Sequence, residues 1–227
     1  MSIEESIKNC EVYLKQIKQY DPDPYYVNYF LERYLNSINN IIDGIFKEGN
    51  TNFGLFISGN ISEEKFYEKA KIKKDQKAIE FSEWFSKKYN LEHRNPYPDI
   101  IKKICQFRKR FGKLPRIKLM IRASDRYKDD IHQQIRVNLT HGKIYSKEEI
   151  EIEIKRQLPI FLKIINDKRN KRGEPKVRMN QVTVSTFTDI EEYSDIEVGY
   201  VAEIYIPFLK RLVEESREKM RELTSWR

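Results

Sequence analysis

Apolar side chains return every third or fourth position through the first fifty residues. Ile3, Ile7, Cys10, Leu14 and Ile17 form one stripe, and Tyr26, Phe30, Tyr34, Ile38, Ile41 and Ile45 form a second. That period is helical and predicts helices over 3–19 and 25–47. "DPDP" at 21–24 breaks the chain between them and starts the second. "EGNTNFGLFISGN" reads as a loop with a short apolar patch. Ser62 opens a third helix, through Phe66, Ala70, Phe81 and Phe85 to about Tyr89. "RNPYP" at 94–98 reads as a turn, and 99–111 as a helix.

The period changes in "GKLPRIKLMIRAS". Ile117, Leu119 and Ile121 alternate with Lys118, Met120 and Arg122, the pattern of a short strand. Ser124 can cap a helix running to about His141, with Gly142 where a left-handed helix stop would fall. Ser146 and Glu149 make a capping box for a helix to about Lys168. "EEIEIEI" inside it alternates like a strand, but Ile150, Ile154, Leu158 and Phe161 keep the helical step. "KVRMNQVTVSTFTD" is extended, and a last helix spans about Asp195 to Leu223. Pro159 and Pro207 fall inside the last two long helices. The sum is an all-α chain of long amphipathic helices, with at most a minor strand pair near 116–122 and 177–186.

Composition supports one domain over 1–227. Apolar residues are 39% and aromatic residues 12%, enough for a sizeable core, and eight Gly with eight Pro supply few tight turns for a many-stranded β fold. Cys10 and Cys105 form no CxxC pattern and read as two reduced, buried thiols. No apolar run has the length of a membrane span, and the first thirty residues lack a signal-peptide core. The expectation is a cytoplasmic protein without a membrane partner.

Charge is unevenly placed. Against a formal net charge of +8, residues 100–128 hold eleven Lys or Arg with Asp125 as the lone acid. Lys102, Lys103, Arg108, Lys109, Arg110, Lys113, Arg116, Lys118, Arg122 and Arg126 are the candidate nucleic-acid contacts, with Phe107, Phe111 and Tyr127 interleaved for stacking on unpaired bases. A second basic run covers 168–178. A solvated basic face, or a surface for an acidic partner protein, is the other reading of such runs.

"QIRVNLTHGKIYS" at 134–146 places Arg136, Asn138 and His141 close together. A near-neutral histidine can move the proton of an attacking hydroxyl or a leaving oxygen, while an arginine steadies charge on phosphate oxygens. In a regular helix the two would stand about 140° apart, so a tightened last turn or a second copy would be needed to join them. Arg136, four residues, then His141 and Gly142, followed by a capped helix, resembles the HEPN family, whose "RNxLxHG" form is approached by "RVNLTHG" over about residues 127–165. Val137 stands where that pattern has its polar residue, and Asn138 comes one position late. The resemblance implies a HEPN-like helical bundle with a core at 20–170, and 171–227 as an extended segment plus C-terminal helix. It also implies homodimerisation and, in active members, metal-independent endoribonuclease activity, with Arg136 and His141 catalytic and Asn138 auxiliary; other members are inactive binding or interaction modules.

No P-loop, GxGxxG, GxSxG or HExxH is present, so no cofactor or metal is expected. "DDIHQ" reads as acids in a helix's first turn rather than as metal ligands. Two functions stay open: an RNA-cleaving enzyme working through Arg136 and His141, or a non-catalytic helical module binding nucleic acid or an assembly through 102–128. A neutralising protein partner is compatible with the first.

Overall fold

The computed structural model describes residues 1–91, 97–123, 133–139, 143–188 and 197–225. Among them are seven α-helices and one three-stranded sheet. The chain is mostly helical, as its periodicity requires.

α1 (Ile3–Tyr20) starts at Ser2, whose hydroxyl accepts from the Glu5 N–H. α2 (Pro24–Asn52) starts at Asp23, whose carboxylate accepts from the N–H groups of Tyr25 and Tyr26, with Pro24 in the first turn. α2 runs five residues past its expected end because Gly49 is buried there. A Cβ on Gly49 would lie 3.1 Å from the Phe66 ring, so the small residue admits α3 to close contact.

The expected single helix from Ser62 to Tyr89 is two: α3 (Glu63–Lys73) and α4 (Gln76–Leu91). Lys74 takes a left-handed conformation and ends α3, and the Asp75 carboxylate then accepts from the Ala78 N–H to start α4. The fold back brings Phe46, Phe66, Phe81 and Phe85 into one aromatic cluster, with ring centroids 4.8 to 6.5 Å apart.

α5 (Tyr97–Phe111) turns Ile100, Ile101 and Ile104 into the same core. α7 (Val198–Thr224) lies against α1, α2, α4 and α5. The Tyr34 hydroxyl, fully buried, donates to the Ala202 carbonyl at 2.7 Å. The C-terminal helix is therefore a central member of the bundle.

The expected strand pair is present: β1 (Ile117–Ala123) and β3 (Val182–Thr188) are antiparallel, Ile117 opposite Thr188 and Ala123 opposite Val182. The sheet also has a third member. β2 (Gln133–Arg136) pairs antiparallel with the other side of β1, Met120 opposite Arg136, giving the order β2-β1-β3. This corrects the expected helix from Ser124 to His141 over residues 133–139; its residues 124–132 and 140–141 lie outside the described residues. Ile131, Ile135 and Leu139 fit a helical step of four, yet Ile135, Val137 and Leu139 equally fit a strand step of two. Pairing decides between them, because β1 offers unpaired backbone groups that β2 satisfies. The pairing continues through the Val137 N–H, which donates to the Leu119 carbonyl at 2.8 Å.

A second, smaller core closes one face of the sheet. α6 (Lys147–Lys171), opened by the Ser146–Glu149 capping box, lays Ile150, Phe161 and Ile165 against Leu119, Ile121, Ala123 and Val137. Among the described residues no helix is long and apolar enough to cross a membrane.

Candidate nucleic-acid interface

α5 carries most of the basic candidates, and its apolar stripe decides which of them reach solvent. With Ile100, Ile101 and Ile104 facing inward, Lys109 and Arg110 are turned outward and exposed. The helix ends at Phe111. Gly112 adopts a positive φ of 68°, and its N–H closes the last turn on the Arg108 carbonyl at 2.8 Å. A Cβ there would meet nothing, so backbone conformation alone is what favours glycine. The following turn leaves Lys113 and Arg116 exposed.

Phe111 is 51% exposed, an uncommon exposure for so large an apolar group. Its ring packs on Phe107 with centroids 4.5 Å apart, and the Arg110 guanidinium lies over it at 5.1 Å. The result is an aromatic ledge edged by cations. Residues 100–123 contain no Asp or Glu.

Three of the expected contacts have partners within the fold. Lys102 is only 8% exposed, and its ammonium sits 4.6 Å from the centre of the Tyr89 ring on α4. Arg108 reaches back to Glu32 on α2 at 3.7 Å. Arg122, buried near the end of β1, meets the Glu197 carboxylate at 3.4 Å and lies 4.8 Å over the Phe187 ring. Lys103 and Lys118 are partly buried. Arg126 lies outside the described residues, as does Tyr127.

Two clefts flank the end of α5, and their electrostatics differ. One of about 500 Å³ is lined by Glu63, Glu64, Glu83 and Lys109. Burial lifts the Glu63 carboxyl above its ordinary range, opposed by a hydrogen bond with Ser86. Its carboxylates disfavour an anion. The other, about 380 Å³, is lined by Asn39, Cys105, Gln106, Arg108 and Lys109, two cations and no carboxylate. Burial pushes the Cys105 thiol up to about 11, with Arg108 pulling the other way, so it is a protonated wall group at neutral pH rather than a nucleophile.

The Arg–His stretch has a different setting from the one its motif implies. Arg136 ends β2 opposite Met120, so strand geometry puts its side chain on the face of Met120 and Arg122. The Asn138 side chain is exposed, and its backbone is clamped by Gln157: the Asn138 N–H donates to the Gln157 carbonyl oxygen at 3.0 Å, and the Gln157 amide donates back at 3.4 Å. His141 lies outside the described residues. Of these three residues, Arg136 and Asn138 are therefore the ones whose setting is described, Arg136 at the end of a strand and Asn138 two residues beyond it.

The sequence reading missed one polar cluster where bundle and sheet meet. The Asp21 carboxylate accepts from the Thr186 N–H and hydroxyl, and the Ser185 hydroxyl donates to Glu197 at 3.1 Å, beside the Arg122 contact. "DPDP" marked Asp21 as a chain break, and nothing in the sequence paired it with Thr186. No protein-family model, no curated protein and no solved structure matches this chain.

Proposed function

We propose that this protein is a nucleic-acid-binding module that holds unpaired RNA along the end of α5 and the turn that follows it. One observation carries the reading: the exposed Phe111 ring, packed at a tilt on Phe107 with Arg110 over it, with Lys109, Lys113 and Arg116 exposed around it and no acid in that stretch. Phosphates would be neutralised by the four cations, and a base would stack on Phe111. Basic residues in a last helical turn also complement the helix dipole, which accounts for Arg108, Lys109 and Arg110. It does not account for Lys113 and Arg116 beyond the helix, nor for leaving Phe111 in water.

The test is fluorescence anisotropy with a short labelled oligouridine over a range of salt. Each of Lys109→Gln, Arg110→Gln, Lys113→Gln and Arg116→Gln should lower the slope of log affinity against log salt by about 0.7. Phe111→Ala should weaken binding roughly five- to 150-fold, through about 1–3 kcal/mol of lost stacking, and leave that slope unchanged. Absence of binding at low salt, or affinity indifferent to all five changes, overturns the proposal.

A further inference from the structure

The end of α6 and the loop after it carry a concentration of charge that the α5 surface does not use. Residues 168–178 hold Lys168, Arg169, Lys171, Arg172, Lys176 and Arg178 against Glu174 as their only acid, with Asp167 just before them. The fold divides these cations into two groups. Arg169 is turned inward, its side chain 12% exposed; it lies 3.6 Å from Glu174 and donates to the Pro175 carbonyl at 2.6 Å. Arg172 approaches the same carboxylate at 4.0 Å, so Glu174 is matched within the loop. Lys168, Lys171, Lys176 and Arg178 are exposed, and no acid among the described residues pairs with them.

The backbone that carries them is braced. The Asn166 carbonyl oxygen accepts the Val177 N–H at 2.7 Å, and the Asn166 amide donates to the Val177 carbonyl at 3.2 Å. The Glu174 N–H closes on the Arg169 carbonyl at 2.9 Å. Like charges gathered this way repel one another, and the dipole of α6 favours only those in its last turn, Lys168 and Lys171. Lys176 and Arg178 lie beyond the helix. Residues 168–181 contain no aromatic side chain, so this surface can neutralise phosphates but cannot stack on bases.

The register of the sheet relates this loop to the α5 surface. Arg116 immediately precedes Ile117 at the start of β1, and Arg178 lies four residues before Val182 at the start of β3. Val182 stands opposite Ala123, at the far end of β1. The two basic surfaces therefore flank opposite ends of a strand about 20 Å long, at roughly 3.3 Å per residue. At the 3.4 Å per nucleotide of a stacked strand, about six nucleotides fill that gap, and fewer when the strand is extended.

We propose, on the reading of α5 as an RNA surface, that the loop after α6 is a second phosphate-binding site for the same unpaired RNA. One strand is held at Phe111 by its bases and phosphates, and again at Lys171, Lys176 and Arg178 by phosphates alone. A strand seated on Phe111 carries one charge per nucleotide and so presents phosphates at this spacing, which favours RNA over an acidic protein as the occupant.

Anisotropy with a five-nucleotide and a fifteen-nucleotide oligouridine tests it, since the short strand reaches one site and the long strand both. Wild type should bind the long strand roughly 100-fold more tightly, the low end of the gain from linking two sites. Its slope of log affinity against log salt should be steeper by about 2, three phosphate contacts at about 0.7 each. Changing Lys171, Lys176 and Arg178 together to Gln should erase the extra slope and leave only the gain from additional registers on a longer strand. Short-strand affinity and the circular dichroism spectrum should not change. Binding of neither strand overturns the α5 reading and this inference with it. Short-strand binding that depends on Phe111, beside a long strand of the same slope, overturns this inference alone. So does a triple variant that keeps the wild-type slope on the long strand. Polyglutamate that displaces the long oligouridine as effectively as unlabelled oligouridine does marks a surface for an acidic protein instead, and also overturns it.

Discussion

The Asp21 carboxylate, at the end of α1, accepts both the N–H and the hydroxyl of Thr186 on β3, at 2.9 and 2.8 Å. This contact spans 165 residues of chain and ties the helical bundle to the sheet. Its chemistry has a cost. Burial raises the Asp21 pKa to about 6, against the pull of the two Thr186 hydrogen bonds, and the neighbouring Glu197 adds to the rise.

A carboxyl raised in the folded state takes up protons on folding. Its contribution is fully present below the unfolded value and is lost as pH climbs through about 6. A displacement from 3.8 to about 6 corresponds to roughly 3 kcal/mol. Asp21→Asn keeps an oxygen acceptor for Thr186 and removes the charge. Urea unfolding should show the variant gaining on wild type as pH rises from 4 to 7. A constant difference across that range would mean that Asp21 does not titrate with folding.

Arg122 and Arg110 should separate structure from binding. Arg122 is 6% exposed and engages Glu197 and Phe187, so Arg122→Gln loses the ring contact, leaves half-exposed Glu197 with the Ser185 hydroxyl, and should cost about 1–2 kcal/mol of stability. Arg110→Gln should leave stability within about 0.5 kcal/mol and act only on oligouridine affinity. Equal effects of the two on unfolding would show that the Arg122 contact is not formed.

The aromatic cluster of the bundle is the place where a single truncation should do most harm. Phe81 is fully buried and packs on Phe46, Phe53, Phe66, Trp84 and Phe85. Phe81→Ala should lose about 3–5 kcal/mol in denaturant melts. Tyr34→Phe, which deletes only the buried hydroxyl bonded to the Ala202 carbonyl, should lose about 1 kcal/mol.

Both cysteines should be silent in the folded protein. Burial lifts Cys10 to about 12 and Cys105 to about 11, so thiolate is scarce at neutral pH. A thiol reagent at pH 7.5 should label them at the rate of unfolding, and fully in guanidinium. Rapid labelling of native protein at Cys105 would show that its cleft is open.

The sequence by itself determined the elements whose pattern is local. The apolar period set α1 and α2, Asp23 with Pro24 and Ser146 with Glu149 set helix starts, and alternation set β1 and the extended stretch that becomes β3. It also located the basic stretch, because charge content needs no fold. Only the tertiary structure decided the rest. β2 became a strand because the open edge of β1 needed partners, where Ile135 suited either period. Lys102, Arg108 and Arg122 were drawn toward partners within the fold, Tyr89, Glu32, and Phe187 with Glu197, which no charge count along the chain records. Asp21 met Thr186 in the same way. A helix or turn is a bargain among near neighbours, whereas pairing and burial join groups far apart in sequence, and no local pattern records which will meet.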